Sequence, residues 1–135
     1  MTTPVTFPDA EELVRAHLAE QLPGRHVCTQ LPDPDEFEGL LTGGIVLLER
    51  IGGTWTARKR IDNPRLEISA LTRSLEATND LLKNLRALVE AMTGLTRNGG
   101  VVTHTGEETG PRTIPDPSPD VIRRGFVASL HIRPA

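Results

Sequence analysis

A single cysteine, Cys28, leaves the chain without an internal disulfide, so its fold must be held by the core alone, as fits a reducing compartment. Tyrosine is absent, and the aromatics are confined to Phe7, Phe37, Trp55 and Phe126, too few to stack along a run of bases. Positive charge is not in excess either: 15 basic residues against 18 acidic ones give a net of −3, which supplies no field for holding a polyanion. Both absences argue against general nucleic-acid binding. No run of about 18 apolar residues occurs, and no charged-then-apolar leader opens the chain, so the expectation is a cytosolic protein with neither a membrane span nor a secretory signal. Its 135 residues fit one domain spanning 1–135.

What is present reads as alternating elements. Asp9 and Glu12 form a D-x-x-E start, and Ala10, Leu13, Val14, His17 and Leu18 recur at helical spacing, so a helix is predicted from about Pro8 to Gln21. Pro23-Gly24 stops it. Alternation of Val27, Thr29 and Leu31 predicts a strand over 25–31, and the proline, acid and glycine of 32–44 predict an irregular connection. The run 45-IVLLERI-51 is almost continuously apolar, as in a central strand buried on both faces. After Gly52-Gly53 a mobile, exposed loop is expected over 54–64. In 65-RLEISALT-72, Leu66, Ile68 and Ala70 alternate with Arg65, Glu67 and Ser69. A Leu-rich stripe from Ser74 to Gly94 is the second helix, and strands follow at 101–109 and 121–133. The predicted order is α-β-β-β-α-β-β, an α+β single two-layer domain with a mainly antiparallel or mixed sheet and two helices packed on one face.

Catalytic signatures do not assemble. His17, His26, His104, His131 and Cys28 are zinc-ligand types, but no C-x₂-C or H-E-x-x-H spacing joins them. Gly43-Gly44, Gly52-Gly53 and Gly99-Gly100 border strands as turns and match no phosphate loop. The acidic patch Asp33, Asp35, Glu36, Glu38 lacks the ligand order of a calcium loop, and no G-x-S-x-G is present. No cofactor, metal or catalytic residue is expected. Two features point instead to contacts. One is the basic cluster Arg50, Arg58, Lys59 and Arg60 with the lone Trp55 among them. The other is 110-GPRTIPDPSPDVIRRG-125, whose Pro111, Pro115, Pro117 and Pro119 predict a segment that cannot join a sheet yet loses little entropy on ordering. Arg112 and the pair Arg123-Arg124 flank this stiffened stretch, Asp116 and Asp120 make it acidic, and an interface is expected there.

Several stretches follow one another in order: 7-FPDAEELVRAHL-18, 29-TQLP-32, 45-IVLLERIGG-53, 61-IDNPRLEISALTRSLEATNDLLKNLRALVEAM-92, then G-P-R, the proline-aspartate connection and 121-VIRRGFVASLHIR-133. Together they resemble the tail terminator proteins of long-tailed actinobacterial phages, also described as tail completion or head-to-tail joining proteins. The chain departs from their pattern at Thr113 and Gly125, where similar proteins often carry aromatics. The resemblance implies a virion subunit, assembled in the host cytoplasm, that forms a homo-hexameric ring on the head-proximal end of the tail tube. Its implied partners are further copies of itself, the major tail tube protein and the head–tail connector, with DNA passing transiently through the lumen and no membrane involved. The 52–64 loop would then lie near the lumen or tube, with Arg58, Lys59 and Arg60 making polar contacts. The alternatives are another neck ring protein, such as a head-closure or adaptor subunit, and a small metal-dependent enzyme using His26, Cys28 and His104.

Overall fold

A computed structural model describes residues 4–56 and 60–135. Asp9 caps α1 (Ala10–Gln21), its carboxylate accepting from the Glu12 amide at 3.2 Å. The Glu12 carboxylate pairs one turn on with Arg15 at 2.7 Å rather than reaching back to the cap. β1 (His26–Cys28) is shorter than expected, because the chain bends at Thr29-Gln30 and leaves Leu31 exposed. The expected irregular connection over 32–44 is corrected: it holds α2 (Pro34–Gly43), with Asp33 at the N-cap and proline at the first helical position. Phe37, Leu40 and Leu41 give that helix a single apolar face.

The remaining elements are β2 (Ile45–Gly52), β3 (Trp55–Thr56), β4 (Ile61–Asp62), β5 (Arg65–Thr72), α3 (Leu75–Glu90), β6 (Thr96–Arg97), β7 (Gly100–Thr113) and β8 (Ile122–Pro134). They form one sheet in the order β1-β2-β5-β8-β4-β3, with β7 paired to β8 and to β6. Only the β1–β2 pairing is parallel among those described. The α+β class with a mixed sheet therefore holds, with a third helix and additional short strands that the predicted order lacked.

Alternation sorts the strands between two cores. Val46 and Leu48 of β2, Leu66, Ile68 and Ala70 of β5, and Phe126, Ala128, Leu130 and Ile132 of β8 face one side. There they meet Leu13, Val14 and Leu18 of α1 and Leu81, Leu82, Leu85 and Val89 of α3. Ile45 and Leu47 face the other side, where α2 covers them together with Cys28, Leu71 and Val121. The expectation of a β2 buried on both faces is met over its first half. Two helices share one face as predicted, and α2 lies on the opposite one. The exposed second half of that opposite face is here called the open face.

α1 also carries a partly buried histidine. His17 is half-buried with its Nδ1 lacking a hydrogen-bond partner, beside the Arg97–Glu20 ion pair at 2.6 Å. Burial, reinforced by the Arg97 charge, pushes its imidazole below the ordinary value of 6.5. Above that value both folded and unfolded chains hold His17 neutral. As pH falls through 6.5 the unfolded chain takes up the proton first, so stability declines until the folded-state value is passed. In urea titrations between pH 7.5 and 5, a His17→Gln chain is expected to lose less stability than the parent, which a parallel decline in both proteins would refute.

Candidate interaction surfaces

The residues proposed for a metal-dependent enzyme are not brought together. His26 and Cys28 lie on β1 at one edge of the sheet, and His104 lies on β7 beyond β8. Cys28 is buried, with its Sγ 3.5 Å from the Val46 carbonyl oxygen, and burial pushes its thiol up, away from the thiolate that a metal or nucleophilic role requires. Among the described residues no group of three or more His, Cys, Asp or Glu side chains is placed to hold a metal ion.

The contact candidates divide between the two ends of the sheet. At one end β2 turns into the short β3–β4 hairpin. Here the expected basic cluster is corrected at Arg50, which is not a free charge at a loop tip. Its guanidinium grips buried Asp62 through two bonds of 2.7 and 2.8 Å, and donates to the carbonyls of Gly52 and Gly53 at 3.0 and 3.2 Å. Its backbone amide donates to Glu11 of α1 at 3.0 Å. The bond to Asp62 holds the guanidinium firmly in its charged form. Gly53, at φ +91°, sits so close to the Asn63 carbonyl that a Cβ would fall 1.9 Å from the oxygen, so the hairpin base closes only around glycine. The supposedly mobile loop thus has a fixed base. Beyond it Trp55 is 60% exposed, its ring centroid 6.2 Å from that of Phe7, and Ile51 beside this turn is 44% exposed. Arg60 is exposed with φ 51°. Arg58 and Lys59 lie outside the described residues.

The opposite end carries the proline-rich connection. Pro111 corrects one expectation, for it lies inside β7. The register jumps from Thr109↔Val127 to Arg112↔Gly125, so a bulge takes up the residue that proline cannot pair. The loop itself is pinned at both ends. The Ile114 amide donates to Arg123 at 2.9 Å, and Val121 is buried against the α2 core. Asp116 accepts from the Ser118 amide at 3.0 Å in an Asx turn, while Pro115, Pro119 and Asp120 face outward. Buried Thr78 ties the start of α3 to this end, its hydroxyl 2.7 Å from that of Thr72 and 3.1 Å from the Ile122 carbonyl oxygen.

The flanking arginines point to different faces, as adjacent strand residues must. Arg112 and Arg123 both reach Glu67 on the open face, at 2.8 and 3.6 Å, and Arg123 also donates to Ser69 at 3.1 Å. Arg65 extends this lattice through Glu108, at 2.8 Å for one of two bonds, and holds the Glu108 carboxyl below the usual carboxylate range. Arg124 instead reaches Asn79 of α3 at 2.7 Å on the helix face. That face also bears a groove of about 440 Å³ between α3 and β7, floored by Phe126 and Ala128 and spanned by the Arg86–Glu107 pair at 2.7 Å. Sequence reasoning overlooked these pairings because they join residues tens of positions apart.

Gly125 explains one departure from the pattern of similar chains. A Cβ there would meet the Ile68 carbonyl oxygen at 2.8 Å and Ile114 Cδ1 at 2.9 Å, so the space an aromatic would need is already filled by the connection.

Comparison with known proteins gives one family. A family model described as phage tail termination protein matches residues 6–135. No curated protein matches the chain.

Arg50→Ala is expected to destabilise the fold by about 2–3 kcal/mol, since Asp62 would be left buried and unpaired, and a urea midpoint shift measures this. Gly125→Ala is expected to cost about 1–3 kcal/mol by overpacking. An unchanged midpoint in either variant would refute the corresponding contact.

Proposed function

The chain belongs to the phage tail termination protein family, and on that premise we propose that it forms a ring, expected to be hexameric, which caps the head-proximal end of the tail tube. The ring stops tube growth and offers a docking surface to the head connector, with DNA passing through its lumen. Its work is recognition without catalysis. The observation that carries this reading is the separation of two contact-type surfaces to opposite ends of one rigid sheet. β5 alone spans about 23 Å between them, from its pairing with Ser129 at the Trp55 end to its pairing with Ile122 at the proline end.

Each end suits a protein partner. Trp55 and Phe7 form an apolar pair with an exposed tryptophan, the residue type most often found to dominate interface energy, and Ile51 is also exposed at this end. The proline connection is already ordered through Ile114, Asp116 and Val121, so it presents Pro115 and Asp120 at low entropic cost. Arg112, Arg123 and Arg124 position this end rather than offering free charge, and Arg50 does the same at the other. Arg58, Lys59 and Arg60 extend the Trp55 end toward the tube or lumen in this reading. A subunit of net charge −3, with Arg112 and Arg123 paired to Glu67, gives DNA little to adhere to.

Negative-stain images of the purified protein mixed with tail tubes are expected to show a ring at one tube end only. A protein that leaves both ends bare would contradict the proposal, and a ring found on the portal instead would indicate an adaptor. Trp55→Ala is expected to weaken tube capping or ring assembly by about tenfold or more while leaving thermal stability unchanged, because the side chain lies outside the core. Deleting residues 115–119 is expected to leave the fold intact and impair the other contact. Normal rings and normal tails from both variants would reduce these surfaces to solvent-exposed loops.

A further inference from the structure

The open face holds a pair of side chains that the proposed assembly role leaves unused. His104 of β7 and His131 of β8 are register partners, both exposed, with ring centroids 4.9 Å apart and planes inclined at 45°. Nothing in their spacing along the chain announces the pair. A bulge creates it: the register passes from Val102↔Ile132 to His104↔His131, so one extra β7 residue is absorbed between them. Without that bulge the strict alternation would set His104 opposite Leu130 and turn it toward the helix-covered core. Bulges commonly re-aim a side chain in this way.

We propose that His104 and His131 form a two-imidazole chelate for a borderline transition-metal ion such as Zn²⁺ or Ni²⁺. The separation fits. Two imidazoles bound to one ion at about 2.0–2.1 Å, with a ligand–metal–ligand angle between roughly 90° and 109°, place their ring centroids roughly 4.6–5.3 Å apart. The donor chemistry selects the ion: imidazole suits Zn²⁺, Ni²⁺ and Cu²⁺, whereas Mg²⁺ and Ca²⁺ require oxygen ligands. The scaffold is rigid, since both residues stand on strands joined along their length, and so little ordering is needed on binding. Among the described residues the subunit offers no third His, Cys, Asp or Glu ligand, so the remaining coordination positions open outward to water or to a donor from another chain. The chelate holds an ion on the surface and performs no reaction.

The test uses the full-length chain without a histidine tag. Calorimetric titration with NiCl₂ and with ZnCl₂ is expected to show saturable binding of one ion per subunit, and MgCl₂ none. Both transition metals are also expected to raise the melting temperature. His104→Ala and His131→Ala are each expected to weaken binding by about tenfold or more, the chelate being reduced to one ligand. His26→Ala is expected to bind as the parent does. Both exposed positions tolerate the change, and circular dichroism verifies that each variant is folded. Absence of saturable binding would overturn the proposal. So would binding that survives loss of His104, or that falls equally with His26→Ala.

Discussion

The pairing of β5 with β8 is the constraint on which the rest of the structure depends. It runs without interruption through eight residue pairs, from Arg65↔Ser129 to Thr72↔Ile122, and joins the middle of the chain to its C-terminal strand. Because side chains alternate across a strand, this one register decides which residues meet α1 and α3 and which face outward. Leu66, Ile68 and Ala70 align with Ala128, Phe126 and Arg124 on the helix face, while Glu67 and Ser69 align with Val127 and Gly125 on the open one. A slip of β5 by one residue would turn Leu66, Ile68 and Ala70 away from α1 and α3. It would also separate Arg123 from Glu67 and Ser69. The closeness of Gly125 to the Ile68 carbonyl is the local expression of the same fit.

A second consequence is electrical. On the open face Arg65, Arg112 and Arg123 are set against Glu108, Glu67 and Glu49, and on the helix face Arg86 is set against Glu107. Such exposed pairs add little stability individually. Their effect is to leave a surface dense in charge yet close to neutral across its width. The same residues protect the sheet margin. β7 has three register irregularities, a proline and charged side chains, and these make its outer edge a poor template for indiscriminate strand addition. In the proposed assembly this leaves the ends of the sheet, where Trp55 and the proline connection lie, for contact with partners.

Much of this was legible in the sequence, for identifiable reasons. The period-two pattern of 65–72 and the Leu stripe after Ser74 are long and unambiguous, and both elements start within a residue of where the pattern places them. α2 was missed because Pro34, Gly39 and four acids outweighed Phe37, Leu40 and Leu41. Its start signal, Asp33 followed by proline at the first helical position, was nonetheless there to be read. Pro111 was judged by what proline does in a regular ladder, and bulges escape that rule. The candidate surfaces were legible as compositions, a tryptophan among arginines and a run of prolines among acids. What sequence could not supply was their placement at opposite ends, or the commitment of Arg50 to Asp62, because both follow from pairings between residues distant along the chain.

Hydrogen exchange of the subunit, alone and bound to tail tubes, bears most directly on the claim that contacts are made at the ends of a rigid sheet. Bound subunits should gain protection around residues 51–56, around 114–121, or at both ends, while amides in β5, α1 and α3 exchange as they do in the free protein. Protection gained on the exposed side of α1 and α3, with both ends of the sheet unchanged, would contradict it.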